Sequence, residues 1–407
     1  MDYGLLGEKL GHSFSPQLHK ALADYDYRLL PTPPAEVEEL FRRRAFQGLN
    51  VTIPYKQTVI PLCDEVDPRA AAIGAVNTVV NRGGRLTGYN TDIDGLIYLA
   101  NRAGVDMAGR KVVVLGSGGT SRTAQAAAKE LGASEIVVIS RRGEDNYKNL
   151  SRHADARVLI NTTPVGMFPN AGVSPVSLDI FPRLEGVLDV VYNPLRTALV
   201  MEAEKRGIPC SCGLPMLAAQ AKRAAELFTG EAIPDRRLEE VIFDLTAQVR
   251  NVVLIGMPGC GKSAIGRALA RRLGKSFVDL DHEIVDRAGR PIPEIFAREG
   301  EGAFRALESE LVREAGARTG CILSTGGGVV TRRENYAPLH QNGVIVHIRR
   351  DLSLLPTEGR PVSQSMDLGE LWQRREPLYD AFADLTVDND RTIEDAAEEI
   401  VKELNRV

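Results

Sequence analysis

Short runs of β-branched apolar residues alternate with alanine-rich stretches of helical period along almost the whole chain. That alternation predicts α/β units built on parallel sheets. Two of the units carry glycine-rich loops. One reads strand KVVVLG, loop SGGTSR, helix TAQAAAKELGA, strand EIVVIS; the other reads strand NVVLIG, loop MPGCGKS, helix AIGRALARRLG, strand FVDLD. The loops differ in chemistry, so the halves are not copies of one repeat. Between them, DRRLEEVIFDLTAQ sets Leu238, Val241, Ile242 and Leu245 on one face of an amphipathic helix. It runs into the strand beginning at Asn251 with no Gly/Ser-rich or Pro-rich linker. The main boundary is therefore expected near Val249, with a short, stiff junction.

Composition narrows the class. A chain of 407 residues has room for roughly two to three domains. A hydrophobic content of 43%, a charged content of 26% and a formal charge of −4 lack the basic excess of a nucleic-acid binder. Small molecules are the expected partners, with no nucleic acid and no membrane; the oligomeric state stays open. Cys63, Cys210, Cys212, Cys260 and Cys321 are odd in number and form no CxxC pair, which predicts neither a disulfide framework nor a zinc site. Together with an N-terminus that shows no basic-then-apolar signal, this predicts a cytoplasmic protein.

The clearest chemistry lies in the second half. Gly256 to Ser263 matches G-x-x-x-x-G-K-S, follows an apolar strand and opens a helix, the context a phosphate-binding loop requires. Gly256, Gly259 and Gly261 let backbone N–H groups wrap phosphates, Lys262 adds a point charge, and Ser263 can ligate Mg²⁺. ATP is the expected nucleotide. Downstream, FVDLDHEI places Asp279 and Asp281 at the C-terminal end of the next strand with side chains on one face. One carboxylate suits the metal and the other an acceptor hydroxyl. GEGAFRALESE, STGGGVV, TEGRPV and RREPLYD then offer arginines for an anionic acceptor and a glycine run for close backbone approach.

In this order, those motifs resemble shikimate kinase across residues 249–407. The resemblance implies that Asp281 orients the acceptor hydroxyl of shikimate and that Asp279 serves the Mg²⁺ shell. It implies further that Arg305 and Arg375, with the Gly326, Gly327 and Gly328 backbone, bind the acid, and that Arg360 in a lid stabilises charge on the moving phosphoryl group. The lid, DLSLLPTEGRPVSQ, is short and lacks the additional arginine that family members often place before the R-P pair. Taken singly, Arg305 and Arg375 would read as surface arginines and Glu308 as a surface helix carboxylate.

In the first half, GSGGTSR (Gly116 to Arg122) is a variant of the dinucleotide fingerprint, strengthened by its strand and helix context. An NAD site usually ends the second strand with an acid for the ribose 2′-hydroxyl. Here Ser140, Arg141 and Arg142 stand there instead, which suits the 2′-phosphate of NADP(H). Gly116, Gly118 and Gly119 form the loop. Upstream, GHSFSP, NVTIPYK, GAVNTVV and GYNTDIDG gather hydroxyls, amides, a lysine and a carboxylate in an apolar context, the groups needed around a polyhydroxylated ring.

These segments, continued in order by NTTPVGM, DVVYNPLRTAL and GLPMLAAQA, resemble shikimate dehydrogenase. The resemblance implies that Ser13 and Ser15 hold the substrate carboxylate and that Thr52, Asn77, Tyr192 and Gln220 add contacts. Lys56 and Asp92 would be the catalytic pair. His12 and His19 are expected to be structural, because no carboxylate or cysteine completes a metal set.

The expectation is an α/β chain: a two-lobed dehydrogenase with a Rossmann-type NADP domain, followed by a P-loop domain like nucleoside-monophosphate kinases. Residues 1–93 and 216–248 would form the substrate lobe, 94–215 the NADP lobe and 249–407 the kinase. The implied function reduces 3-dehydroshikimate to shikimate with NADPH and phosphorylates shikimate with ATP. Two alternatives stand beside it. A quinate-type dehydrogenase using NAD is opposed by Arg141, and a fold that has lost turnover is opposed by Lys56, Asp92, Lys262, Asp281 and Arg360.

Overall fold

The computed structural model describes residues 2–11, 13–355 and 367–406. The chain divides into two compact units, Met1–Asn193 with Thr197–Leu245, and Pro194–Arg196 with Thr246–Val407.

The first unit holds two sheets. Strands β1 (Tyr3–Gly7), β2 (Tyr27–Pro31), β3 (Gly48–Val51), β4 (Glu65–Val66), β5 (Thr78–Arg82) and β6 (Arg85–Tyr89) lie in the order β2-β1-β3-β5-β6-β4. This sheet is mixed, contrary to the parallel expectation: β1 runs parallel to β2 and β3, whereas β5 runs antiparallel to β3 and β6. The cause is local. Gly83 and Gly84, with φ of +60° and +90°, give the two consecutive left-handed positions of a tight hairpin turn, which glycine adopts at least cost. An apolar run alone does not encode strand direction. Helices α1 (Ser15–Leu22), α2 (Pro34–Arg43), α3 (Pro68–Ile73) and α4 (Asp92–Arg102) complete this part.

The second sheet is parallel throughout. Strands β7 (Lys111–Leu115), β8 (Glu135–Ile139), β9 (Val158–Asn161), β10 (Gly186–Asp189) and β11 (Cys210–Ser211) take the order β11-β10-β9-β7-β8. Both faces are covered, which is why the strands read as unbroken apolar runs. Val112, Val114 and Ile160 pack with Ala124, Ala127 and Ala128 of α5 (Gly119–Glu130), while Val113, Leu115 and Leu159 pack with Leu199 and Ala203 of α6 (Ala198–Lys205). Between β8 and β9 only one 3₁₀ turn forms, at Leu150–His153. Helix α7 (Leu214–Thr229) then returns to the first sheet, where the Phe228 ring covers Gly48 and stands 5.0 Å from the Tyr3 ring. In α8 (Asp235–Val249) the four apolar residues of the predicted stripe are all buried.

The second unit is a parallel sheet of β12 (Asn251–Ile255), β13 (Ser276–Asp279), β14 (Cys321–Ser324), β15 (Gly343–Arg349) and β16 (Leu385–Asp388), ordered β13-β14-β12-β15-β16. Helices α9 (Lys262–Leu273), α10 (Leu280–Ala288) and α11 (Ile292–Gly316) follow its strands. Gly300, at φ +81° and ψ +168°, breaks α11 into two segments. Among the described residues, no helix is long and apolar enough to cross a membrane.

His19 is fully buried, stacked on Tyr27 at 3.9 Å, with Nδ1 2.6 Å from the Tyr25 hydroxyl. It sits within an aromatic cluster with Tyr25, Tyr27 and Phe228; His12 lies outside the described residues. Burial holds the His19 imidazole down to about 3, whereas an unfolded histidine titrates near 6.5. The unfolded chain therefore binds the proton first, and stability is lost as pH falls from 6.5 toward 3. In thermal unfolding followed from pH 6.5 to about 4.5, the midpoint of His19→Phe should fall less steeply than that of the parent; equal slopes would contradict this assignment.

Candidate active sites

In the first unit a cavity of about 270 Å³ is lined by Ser13, Ser15, Thr52, Lys56, Asn77, Asp92, Tyr192 and Gln220. The structure thus brings together every residue assigned to the acid substrate from sequence. Lys56 Nζ donates to Asp92 Oδ2 at 2.6 Å, and the two side chains are 26% and 16% exposed. Asp92 opens α4, so its carboxylate sits at the helix N-terminus as well as beside the lysine.

Behind the pair, a chain of buried amides and hydroxyls stiffens the wall. Asn77 accepts from the Thr91 backbone N–H at 2.7 Å and donates to the Thr91 hydroxyl at 3.1 Å. Asn50 donates to Thr78 Oγ1 at 3.0 Å and accepts from the Tyr27 hydroxyl at 2.7 Å. Ser13 Oγ stands 3.2 Å from Ser15 Oγ. Asn50, Thr120 and Met216 also line the pocket and were missed. Only Asn50 had a signal, as the polar first residue of NVTIP inside a buried strand.

A second cavity of the first unit, about 770 Å³, opens at the C-terminal ends of β7, β8 and β9. Because β7 lies between β8 and β9, this is where strand order reverses, the usual ligand crevice of such sheets. Gly116, Gly118, Ser140 and Arg141 line it. Gly119 and Arg142 are not among its lining residues: Gly119 begins α5, and Arg142 lies one residue further along the turn. Tyr147, Thr162 and Thr163 line it too and went unrecognised. Asp189 is buried beneath this region, and burial pushes its carboxyl up to about 6 against the donors that Thr197, Val191 and Asn161 supply.

The second unit holds a cavity of about 680 Å³, lined by Gly259, Gly261, Lys262, Ser263, Asp281, Arg305, Gly326, Gly327, Gly328 and Arg375. Lys262 Nζ donates to the Gly256 and Met257 carbonyls at 2.9 Å each, bracing the phosphate loop from within. Ser263 Oγ donates to Asp279 Oδ2 at 2.7 Å. The strand ends at Asp279, which caps α10 by accepting from the Asp281 N–H at 3.2 Å. Asp281 therefore sits on the helix, not the strand, and reaches the cavity while Asp279 stays behind Ser263. Arg360 and most of the lid lie outside the described residues.

The two arginines are buried, unlike ordinary surface arginines. Arg305 donates to Glu308 at 2.7 Å, and Arg375 to the Gly327 carbonyl at 3.1 Å, which also accepts from the Tyr379 hydroxyl at 2.5 Å. Glu308 is 1% exposed, not on the surface, and burial pushes its carboxyl up while Arg305 opposes the shift. At Gly328 a Cβ would overlap the Arg305 guanidinium, so a side chain there would displace the arginine from its present position.

A family model of the shikimate dehydrogenase substrate-binding domain matches residues 5–79, and one of shikimate kinase matches residues 258–405. The shikimate dehydrogenase (NADP(+)) of Clostridium perfringens is 36% identical over 263 residues, covering 60% of this chain and 97% of the relative. The chain belongs to the shikimate dehydrogenase family. Among solved structures, shikimate 5-dehydrogenase from Thermus thermophilus, in complex with NADP(H) and shikimate, is 33% identical with a TM-score of 0.55, covering 60% of this chain and 98% of that one. Quinate dehydrogenase from Corynebacterium glutamicum, in complex with NAD, is 28% identical with a TM-score of 0.55, covering 60% and 99%. The shikimate dehydrogenase likeness thus ends within the first three-fifths of the chain, and the kinase model begins inside the phosphate loop.

A ligand at about 100 times its Kd stabilises a fold by ~2.7 kcal/mol. Saturating ATP should raise the unfolding midpoint of the second unit accordingly, and Lys262→Ala should remove most of the rise. An undiminished rise, followed by calorimetry, would count against the loop as the triphosphate site.

Proposed function

We propose that the chain catalyses two consecutive reactions: reduction of 3-dehydroshikimate to shikimate with NADPH, then phosphorylation of shikimate to shikimate 3-phosphate with ATP. The observation that carries this reading is the convergence of the acid-site residues around the Lys56–Asp92 pair, in a chain whose remaining third matches shikimate kinase.

In the first unit, the Ser13 and Ser15 hydroxyls take the substrate carboxylate, and Thr52, Asn77, Tyr192 and Gln220 take ring hydroxyls. Lys56 faces the carbonyl oxygen, stabilises the negative charge that develops there and delivers a proton to it. Asp92 keeps the ammonium in place and accepts from a substrate hydroxyl. NADPH, when bound in the larger cavity, supplies the hydride. Gly116 and Gly118 admit the pyrophosphate, and Ser140 and Arg141 take the 2′-phosphate.

In the second unit, Arg305 and Arg375 hold the acid, Asp281 orients the hydroxyl that attacks, and Lys262 moves from the loop carbonyls to the phosphates. Ser263 and Asp279 offer one hydroxyl and one carboxylate, a donor set that fits Mg²⁺, which keeps several waters and shares the phosphates. Mg²⁺ there neutralises phosphate charge. Arg360 completes the charge stabilisation from the lid. Cysteine usage suits a cytoplasmic enzyme.

Given 3-dehydroshikimate, NADPH and MgATP, the full-length protein should consume NADPH and release shikimate 3-phosphate, identified by mass spectrometry; no turnover of either kind would sink the reading. Lys56→Ala should lower the reduction rate by roughly 10²-fold or more and leave shikimate phosphorylation unchanged. Because a quinate dehydrogenase with NAD is also similar in structure, cofactor choice is the discriminating measurement. Arg141→Ala should raise KM for NADPH roughly tenfold, the loss of one charge-assisted contact, with KM for NADH unchanged; a parent enzyme that prefers NADH would favour the quinate-type reading.

A further inference from the structure

Asp189 ends β10 and is fully buried, yet it lines neither cavity of the first unit. Its oxygens collect three donors. Oδ1 accepts from Asn161 Nδ2 at 2.9 Å and from the Val191 backbone N–H at 3.0 Å, and Oδ2 accepts from the Thr197 hydroxyl at 2.7 Å. All three are neutral groups. A buried carboxylate satisfied this way is costly to fold, and an apolar residue of similar size would cost less, so its presence calls for a role.

The donors lead to both cavities. Asn161 is the register partner of Asp189 across β9 and β10. With its amide donating to Asp189, the Asn161 side-chain oxygen faces the next turn, where it accepts from the Thr163 backbone N–H at 3.0 Å and the Thr163 hydroxyl at 2.7 Å. Thr162 and Thr163 form the wall of the nucleotide cavity. In the other direction, the Val191 N–H bond fixes the turn whose flanking residues, Val190 and Tyr192, line the acid pocket. Thr197 ties this arrangement to the start of α6, where its hydroxyl accepts from the Val200 N–H at 3.3 Å.

We propose that Asp189 is a positioning residue shared by the two cavities, setting the Tyr192 turn and the Thr162–Thr163 turn relative to each other so that acid and nicotinamide nucleotide meet in register. The inference rests on the dehydrogenase reading above. It differs from a purely structural role in one respect: loss of the carboxylate must weaken both ligands in a protein that is still folded.

The test is made on the full chain, with NADP⁺ and shikimate titrated separately by calorimetry and folding followed by thermal unfolding. Asp189→Ala should weaken each ligand roughly tenfold. Asp189→Asn can keep its oxygen toward Asn161 and Val191 and turn its amide toward Thr197 Oγ1, so it should recover most of both affinities. A folded Asp189→Ala protein that binds both ligands as the parent does, or loses only one, overturns the proposal. Should Asp189→Ala fail to fold, Asn161→Leu decides: it cuts only the nucleotide branch and should weaken NADP⁺ roughly tenfold while leaving shikimate unchanged. Equal losses, or none, overturn the proposal. A parent protein that binds neither ligand sinks the dehydrogenase reading itself, an outcome distinct from parent binding with unaffected variants.

Discussion

A charge removed from water must find a partner, and that constraint shapes two of the cavities and the strand end that lies between the turns of the first unit. Lys56 is held by Asp92, Arg305 by Glu308 and Asp189 by three neutral donors. In each case the partner also fixes where the group points, which is the condition for electrostatic work on a substrate. The surrounding elements follow from this need. Asp92 stands at the start of α4, Asp281 at the start of α10, and Asp189 at the end of the interior strand β10. Backbone dipoles or unpaired strand-end amides are available at such positions, and the chain leaves the sheet there without breaking a ladder.

The two chemistries use different scaffolding for the same reason. Phosphates are met by backbone N–H groups, so the loops after β7 and β12 are glycine-rich and open helices. The smaller cavity of the first unit is lined by side-chain hydroxyls and amides, and these need a rigid backing. The Asn50, Asn77, Thr78 and Thr91 chain supplies it. The cavity of the second unit is lined by two buried arginines instead, one of them packed closely against Gly328.

What could be read in advance divides along the range of the interactions. The phosphate loop, the amphipathic face of α8 and the glycine run are short-range patterns, and each formed where the spacing placed it. Lys56 and Asp92 lie 36 residues apart, and no local pattern pairs them; only the ordered resemblance did so. The burial of Glu308 could not be read from its helix alone, because helical spacing does not tell a solvent face from a cavity face. The strand ending at Asp279 was extended by two residues because Asp281 keeps the alternation of a strand while already belonging to a helix. Tyr147 and Asp189 went unrecognised since a tyrosine in a turn and an acid ending a strand are both commonplace, and their surroundings come from segments far away in the chain. The direction of β5 lay in the Gly83–Gly84 doublet, a turn signal that the alternation of apolar runs overshadowed.

That doublet bears on how the first unit tolerates change in length. A side chain at Gly83 would meet open space, and the Arg82–Arg85 pair closes the ladder directly beneath. Extra residues inserted there would forfeit the contact between Arg44 and the Gly84 carbonyl and a loop-closure entropy that grows by only about 0.6 kcal/mol per doubling of loop length. The hairpin tip is thus a place where a peptide tag or reporter can be spliced into the chain while β5, which leads back to Asn77, keeps its register.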